Sequence, residues 1–138
     1  MNGADFLDTN VLVYAYQKTD ARKQQIAHNL VRKALAGKFF ISSQVLAEFA
    51  ATLLHKFPDP AKAQNVLEIL DALAHIKLIL PDKELVRRAV EAFRFYQIHF
   101  YDGMIVAAAE RAGCARIFSE DFNDGQEYFG VTVENPFR

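Results

Sequence analysis

The chain has 138 residues, 51% of them hydrophobic, and a formal net charge of −1. A chain of this length forms one ordinary globular domain and buries about two thirds of the surface it exposes when unfolded. We therefore expect one domain over residues 1–138. Neither a membrane span nor a secretory signal is expected, because no apolar run reaches about 20 residues and MNGADFLD lacks the basic and apolar regions of a signal. The single cysteine, Cys114, excludes an intrachain disulfide and is typical of a reducing, cytoplasmic compartment.

Short apolar runs alternate with longer segments of helical periodicity along the chain. The predicted strands are residues 4–7, 38–42, 77–80 and 115–119, with a short fifth candidate at 131–133. Helices are predicted from Val11 to Tyr16, after a cap at Thr19 or Asp20, after a cap at Ser42 or Ser43, from Pro60 or Ala61, after a cap at Asp82, and from about Tyr101 to Ala112. The predicted helix ends are Gly37, residues 57–60 and Gly113.

Strands that alternate with helices of this length predict a parallel sheet covered on both faces. We expect an α/β fold with a doubly wound, mostly parallel sheet of four to five strands flanked by helices. On the helix that Asp82 caps, the predicted buried face is Leu85, Val86, Ala89, Val90 and Phe93. In such folds ligands bind outside the carboxyl ends of the strands, near the point where the strand order reverses.

Three carboxylates stand alone in segments otherwise too apolar to carry a charge: Asp8 in FLDTNVLVYAY, Glu48 in FFISSQVLAEFAATLL and Asp102 in FYQIHFYDGMIVAAA. An ionised carboxylate removed from water is costly unless a partner compensates its charge. Glu48 lies on a helix that is apolar around most of its circumference, so we expect it to be buried on all sides. Three such groups indicate a shared cation. Oxygen ligands without a cluster of Cys or His favour Mg²⁺ or Mn²⁺.

A fourth candidate, Asp121 in RIFSEDFNDG, follows the fourth predicted strand. Asp8 and Asp121 follow strands, whereas Glu48 and Asp102 fall near the first turns of their helices, so all four side chains can meet at one sheet edge. Each acid also has an ordinary explanation: a helix cap for Asp8, a favourable helix-dipole charge for Asp102, a turn residue for Asp121 and an exposed side chain for Glu48. Thr9, Asn10 and Ser119 are placed either to orient the carboxylates or metal-bound water, or to serve as caps and turn formers.

Other polar and aromatic groups discriminate less between functions. The four histidines have no metal-ligand spacing, and we expect structural hydrogen bonding for His99. Two basic clusters fit either the solvated side of helices or phosphate contacts; they are Lys18, Arg22, Lys23, Arg32 and Lys33, and Arg87, Arg88 and Arg94. Aromatic side chains that could stack on bases, but that are expected in the core, are Tyr14, Tyr16, Phe100 and Tyr101.

Taken together, these segments resemble the PIN-domain nucleases, especially the VapC-type toxins of bacterial and archaeal toxin–antitoxin pairs. FLDTNVLVYAY resembles the opening strand and Asp-Thr-Asn turn of that family. SSQVLAEFAATL resembles the helix that bears the second acid, and YDGMIVAAAERAG the helix that bears the third. RIFSEDFNDGQEYFGVTVENPF resembles the terminal strand, acidic loop and tail. The resemblance covers nearly the whole chain, and its order and spacing are specific.

The resemblance implies a PIN-like domain in which Asp8, Glu48, Asp102 and Asp121 are catalytic, metal-binding carboxylates and Ser119 is the accompanying hydroxyl. Glu120 and Asp124 lie close enough in sequence to replace or assist Asp121. The implied activity is Mg²⁺- or Mn²⁺-dependent hydrolysis of RNA that leaves 5'-phosphate and 3'-hydroxyl ends. The implied partners are an antitoxin, whose tail covers the acidic pocket, and a second copy of the chain in a homodimer.

Two other functions compete with the nuclease. A non-catalytic PIN-like module would bind RNA or protein without turnover, and the loss of an acid would support it. A phosphoryl-transfer domain also places an Asp after the first strand of a doubly wound sheet. The phosphatases of that type carry a second Asp two residues on, where this chain has Asn10.

Overall fold

The computed structural model of the chain describes residues 3–56 and 60–138, and six strands and six helices lie in these ranges. The strands are Asp5–Leu7 (β1), Phe39–Ser42 (β2), Lys77–Ile79 (β3), Arg116–Phe118 (β4), Glu127–Tyr128 (β5) and Val131–Glu134 (β6). The helices are Thr9–Ala15 (α1), Ala21–Leu35 (α2), Ser43–Lys56 (α3), Pro60–Ala72 (α4), Lys83–Tyr96 (α5) and Phe100–Arg111 (α6).

The strands form one sheet in the order β3-β2-β1-β4-β6-β5. Neighbouring strands are parallel except β5 and β6, which are antiparallel. From β1 the chain builds outward to β2 and β3, and then places β4 on the other side of β1, so the strand order reverses between β1 and β4. Leu7 and Phe118 pair in register at this reversal. The residues that follow them, Asp8 and Ser119, therefore meet at the sheet edge where ligands bind in such folds.

The architecture confirms the predicted α/β fold, although the sheet has six strands rather than four or five. The additional strand, β5, is only two residues long and pairs with β6 through the turn Phe129-Gly130. Both turn residues have positive φ, 50° at Phe129 and 83° at Gly130. Hairpins with such a turn are usually recognised in a sequence by Asn-Gly or Asp-Gly. Because a phenylalanine stands at the first turn position, the sequence pattern does not indicate the hairpin.

Helix capping distinguishes between the residues that the sequence left as alternatives. The side chain of Asp20 accepts a hydrogen bond from Lys23 N–H at 3.0 Å, so Asp20 rather than Thr19 caps α2. Ser42 Oγ accepts a hydrogen bond from Val45 N–H at 3.2 Å, so Ser42 rather than Ser43 caps α3. Asp82 caps α5 as predicted. The predicted break at residues 57–59 lies outside the described residues; α3 ends at Lys56 and α4 begins at Pro60.

The predicted buried face of α5 is wrong for three of its five residues. Val86, Val90 and Phe93 are 41%, 52% and 55% exposed, and the buried residues of α5 are Leu85, Ala89 and Ala92. The reason lies in the close contact between α5 and α6. A Cβ on Gly103 would lie 2.7 Å from the carbonyl oxygen of Ala89, so the helices approach through small residues and only a narrow stripe of α5 is covered.

The buried core is one cluster that joins the central strands to the helices. Four strands of the sheet each contribute a completely buried side chain to it, namely Phe6 in β1, Ile41 in β2, Ile117 in β4 and Val133 in β6. In α6 every residue from Gly103 to Ala109 is buried, which holds the first turn of that helix in a fixed place. None of the helices formed by residues 3–56 and 60–138 is long and apolar enough to cross a membrane.

Candidate active site

An open cleft of about 480 Å³ lies beyond the carboxyl ends of β1 and β4. The four predicted carboxylates all line it: Asp8, Glu48, Asp102 and Asp121. They come from four different elements, namely the end of β1, α3, α6 and the loop after β4. The structure therefore brings together the acids that are widely separated in the sequence.

Asp8 is the buried member of the set, with 5% of its surface exposed. Its Oδ1 accepts a hydrogen bond from Thr9 N–H at 2.7 Å, and it caps α1. Its Oδ2 accepts from Ser119 Oγ at 2.7 Å. Burial raises the pKa of Asp8 to about 7 against the lowering effect of these two bonds, and the negative charges of Asp121 and Glu48 raise it further. Asp8 is thus a helix cap, and the charged side chains that act on its pKa, Asp121 and Glu48, are both acidic.

The prediction that Glu48 is buried on all sides is wrong, because its side chain is exposed. It lies in the second turn of α3 rather than the first. The core-facing stripe of α3 is Val45, Phe49 and Leu53, and Glu48 lies off that stripe, on the side that borders the cleft. Thr9 Oγ1 donates a hydrogen bond to Glu48 Oε1 at 2.9 Å. This contact links α3 to the first turn of α1.

Asp102 is half-buried in the first turn of α6. Burial raises its pKa; the nearby His99 lowers it, while Asp121 and Glu48 raise it. The role expected for His99 is confirmed, because its Nδ1 accepts a hydrogen bond from Tyr101 N–H at 3.2 Å and so caps the helix. The favourable position of Asp102 near a helix N-terminus coexists with its place on the cleft wall.

Asp121 is exposed on the loop that follows β4. Asn10 Nδ2 donates to Asp121 Oδ2 at 3.1 Å and to Ser119 Oγ at the same distance. The N–H of Asp121 donates to Ser119 Oγ, also at 3.1 Å. The three polar neighbours named from the sequence, Thr9, Asn10 and Ser119, therefore all contact one or more of the four acids.

Glu120 and Asp124, the alternatives to Asp121, are both engaged elsewhere. Glu120 borders the cleft, but its two oxygens accept hydrogen bonds from Tyr14 and Lys23. Asp124 accepts from Asn135 N–H at 2.7 Å and pairs with Arg138 at 2.9 Å. The carboxylate of Asp121 differs from these two, because its hydrogen-bond partner is the side-chain amide of Asn10, which also contacts Ser119.

The oxygen donors of the cleft match the chemistry of a hard divalent cation. Among the described residues that line it, Lys56 is the one basic side chain. In residues 3–56 and 60–138, no group of three or more Asp, Glu, His or Cys side chains is arranged to hold a metal ion. Carboxylates repel one another when no cation lies between them. Glu48 and Asp121 are exposed, and their charges add to the effect of burial, which is the main cause of the raised pKa of Asp8.

Sequence reasoning missed one part of the site, the contact of Tyr14 and Lys23 with Glu120. Tyr14 and Glu120 are 106 residues apart, and Lys23 and Glu120 are 97 apart. In the sequence Tyr14 is one of several aromatics and Lys23 one of several basic residues on a helix. No local pattern connects either of them to the acidic loop.

Comparison of the sequence with curated proteins finds no match. Solved structures with a similar fold include a toxin–antitoxin complex from Klebsiella pneumoniae, with 19% identity, a TM-score of 0.70 and coverage of 96% of this chain and 98% of that chain. VapC20 of Mycobacterium tuberculosis, described as a sarcin-ricin loop cleaving toxin, has 20% identity, a TM-score of 0.70 and coverage of 94% and 99%. VapBC2 of Rickettsia felis, bound to a promoter DNA fragment, has 21% identity, a TM-score of 0.67 and coverage of 96% and 98%.

At these identities the structural likeness shows the fold. The family is shown by the sequence, since the model of the PIN domain matches residues 6–123. The four acids lie where the strand order reverses, and the family match covers most of the chain. This chain belongs to the PIN domain family.

Proposed function

We propose that this protein is a metal-dependent endoribonuclease that hydrolyses RNA phosphodiester bonds and leaves 5'-phosphate and 3'-hydroxyl ends. The observation that carries the proposal is the convergence of Asp8, Glu48, Asp102 and Asp121 on one cleft. The raised pKa of Asp8 is consistent with it, because a cation would favour the ionised form of a carboxylate that is buried among other acids. The fold likeness to a toxin described as cleaving the sarcin-ricin loop supports RNA as the substrate class.

In this proposal the four carboxylates are the metal ligands and catalytic residues. Asp8 would be held in place by Ser119 and by the first turn of α1, Glu48 by Thr9, and Asp121 by Asn10. When bound, a Mg²⁺ or Mn²⁺ ion supplies Lewis acidity that activates water and offsets charge on the phosphate. The exposure of Glu48 and Asp121 leaves that side of the cleft open to a nucleic acid chain.

The bond changes are those of a simple hydrolysis. An oxygen of water forms a bond to phosphorus, the bond from phosphorus to the 3'-oxygen breaks, and the 3'-oxygen leaves with a proton as a hydroxyl. The phosphate stays on the 5'-oxygen of the next nucleotide. The contribution of the chain is to hold negative oxygens in a mostly acidic cleft, so that an RNA phosphate has a favourable place there only together with divalent cations.

We also propose that the protein is the toxin of a toxin–antitoxin pair and acts in the cytoplasm as a homodimer. The similar structure from Klebsiella pneumoniae, which was solved as a toxin–antitoxin complex, supports this assignment. The antitoxin would cover the acidic cleft with a basic side chain, for which Asp8, Glu48, Asp102 and Asp121 provide the complementary charge. The exposed apolar side chains of α5, Val86, Val90 and Phe93, support association with a second copy.

Cleavage of cellular RNA by the purified protein tests the proposed activity. The reaction would be run with Mg²⁺, with Mn²⁺ and with EDTA, beside the variant Asp102→Asn. We expect products with 5'-phosphate ends in metal only, and none from the variant. Cleavage that survives both EDTA and Asp102→Asn would rule out the proposed site. Failure of the folded, antitoxin-free wild type to cut would favour the non-catalytic binding module.

A further inference from the structure

Glu120 borders the same cleft as the four carboxylates, yet each of its two carboxylate oxygens accepts a hydrogen bond from a side chain of another element. The hydroxyl of Tyr14, in α1, donates to Glu120 Oε1 at 2.6 Å. The ammonium of Lys23, in α2, donates to Glu120 Oε2 at 3.1 Å and to Tyr14 Oη at 3.2 Å. Each member of this Tyr14–Lys23–Glu120 cluster contacts the other two. The cluster thus joins α1 and α2 to the acidic loop.

Phe137, near the C-terminus, packs against the cluster. The ring of Tyr14 packs edge-on against Phe137 with 4.9 Å between centroids. Lys23 Nζ lies over both rings, 4.8 Å from the centroid of Tyr14 and 5.7 Å from that of Phe137. The carbonyl of Phe137 accepts a hydrogen bond from Arg22 at 2.7 Å. The side chains of Lys23 and Glu120 are only 28% and 24% exposed, so the ion pair is largely shielded from water.

Asn10 contacts both the backbone of Glu120 and the side chain of Asp121. The N–H of Glu120 donates to Asn10 Oδ1 at 3.4 Å, and Asn10 Nδ2 donates to Asp121 Oδ2 at 3.1 Å. The side chain of Glu120 is bonded to Tyr14 in α1 and to Lys23 in α2, whereas the next side chain, Asp121, is bonded to Asn10 in the first turn of α1 and borders the cleft. If Glu120 were released, a further carboxylate could turn into the cleft and the loop would lose its anchor on α2.

We propose that Tyr14 and Lys23 are positioning residues for the metal centre, an inference that rests on the proposed function. By holding Glu120 away from the four carboxylates, they fix the loop that presents Asp121 and keep a fifth carboxylate from competing for the cation. Among the described residues, the side-chain hydrogen bonds of Tyr14 and Lys23 go to Glu120 and to each other rather than to a proposed metal ligand, so both act through Glu120. Glu120 is accordingly an anchor of the loop and not a substitute for Asp121.

Two variants and a matched control test this role. Lys23→Met removes the ammonium and keeps much of the apolar stem, and Tyr14→Phe removes only the hydroxyl. Lys33→Met is the control, because Lys33 is an exposed lysine of the same helix that does not border the cleft. The first readout is hydrogen exchange of the peptide containing Ser119, Glu120 and Asp121 in metal-free protein. The second is Mn²⁺ affinity by calorimetry, with kcat and KM for RNA cleavage measured in parallel.

We expect both variants to raise exchange of the loop amides about fivefold and to weaken Mn²⁺ binding by a similar factor, since a hydrogen bond to a charged group is lost. Lys33→Met should match wild type. Lys23→Arg, which keeps the charge and a donor, should recover most of the loss. The effect on cleavage should disappear when Mn²⁺ is raised to saturation, because the variants leave the ligands themselves intact.

Three results would overturn the positioning role. In the first, the variants exchange and bind Mn²⁺ like Lys33→Met while the wild type cuts RNA; the proposed function then stands and this inference alone fails. In the second, loop exchange rises but Mn²⁺ affinity does not change, and the cluster is then a structural anchor only. In the third, wild type neither binds Mn²⁺ nor cuts RNA, and the proposed function fails together with the inference.

Discussion

Ser119 Oγ donates a 2.7 Å hydrogen bond to Asp8 Oδ2, although 111 residues separate them in the chain. The same oxygen accepts from Asn10 Nδ2 and from Asp121 N–H. One donated and two accepted hydrogen bonds use the full capacity of a hydroxyl. Ser119 is completely buried, so no water competes for these positions. One hydroxyl therefore holds Asp8, at the end of β1, and the loop of Asp121, after β4, in a single arrangement.

Ser119→Ala should disturb the site more than its small size suggests. Asp8 Oδ2 would lose its donor, and Asn10 Nδ2 and Asp121 N–H would lose their acceptor. We expect a loss of about 1–3 kcal/mol in the free energy of unfolding and a decrease of about tenfold or more in Mn²⁺ affinity. Urea unfolding and calorimetry measure the two effects. Ser119→Thr keeps a hydroxyl and should recover part of both; an alanine variant with wild-type Mn²⁺ affinity would be inconsistent with this role.

The pH dependence of stability should reveal the charge on Asp8. Burial raises its pKa in the folded protein to about 7, against the ordinary Asp value of 3.8. Between these pH values the folded protein binds a proton that the unfolded chain has released, so stability from this group is present at low pH and falls as the pH rises. In EDTA, from about pH 4 to 7, wild type should lose on the order of 3 kcal/mol relative to Asp8→Asn.

Saturating Mn²⁺ should abolish that difference in slope, because the cation favours the ionised carboxylate. Chemical unfolding of both proteins at a series of pH values gives the comparison. The titrating groups that do not interact with Asp8 contribute equally to both proteins and cancel, whereas Asp121 and Glu48 are coupled to Asp8 and contribute to the difference. Parallel stability curves in EDTA would show that Asp8 is already compensated in the metal-free protein.

Glu48 should matter for metal binding without mattering for stability. Its side chain is exposed, and its hydrogen bond from Thr9 Oγ1 can also be made to the carbonyl oxygen of a glutamine. We expect Glu48→Gln to leave the urea midpoint unchanged and to reduce Mn²⁺ affinity at least about tenfold. Glu68→Gln, at an exposed helical position away from the cleft, is the control. A large loss of stability in Glu48→Gln would mean that this carboxylate supports the fold instead.

Gly103→Ala should strain the contact between α5 and α6 directly beside Asp102. The added Cβ would lie 2.7 Å from the carbonyl oxygen of Ala89, and a backbone oxygen cannot rotate out of the way. We expect a loss of about 1–3 kcal/mol in urea unfolding and weaker Mn²⁺ binding, as the first turn of α6 moves. An alanine variant as stable as wild type would show that the two helices separate freely.

Much of the site could be predicted because its residues follow local rules. Asp8 comes directly after β1 and Asp121 lies in the loop that follows β4, and parallel strands bring their carboxyl ends to one edge. Asp102 begins a helix that is buried from Gly103 to Ala109, so its apolar surroundings are visible in the sequence. Asn10 and Ser119 are polar and lie close to these acids in the sequence, so they could be predicted as residues that support the carboxylates.

The rest depended on packing between distant segments. The exposure of Glu48 follows from which face of α3 meets the core, and an apolar helix does not reveal that face by its pattern. The exposure of Val86, Val90 and Phe93 results from the close approach of α6 at Gly103, a residue outside α5. The contact of Tyr14 with Glu120 joins the two ends of the chain, and no periodicity reports it.

The most direct test of the account measures Mn²⁺ occupancy and RNA cleavage on the same samples. Electron paramagnetic resonance would give bound Mn²⁺ as the ion is titrated into wild type and into Asp8→Asn, while single-turnover cleavage of RNA is followed in parallel. We expect the cleavage rate of wild type to rise in proportion to occupancy, and the variant to lose both. Cleavage without bound Mn²⁺, or occupancy that is unchanged by Asp8→Asn, would contradict a catalytic cation held by these carboxylates.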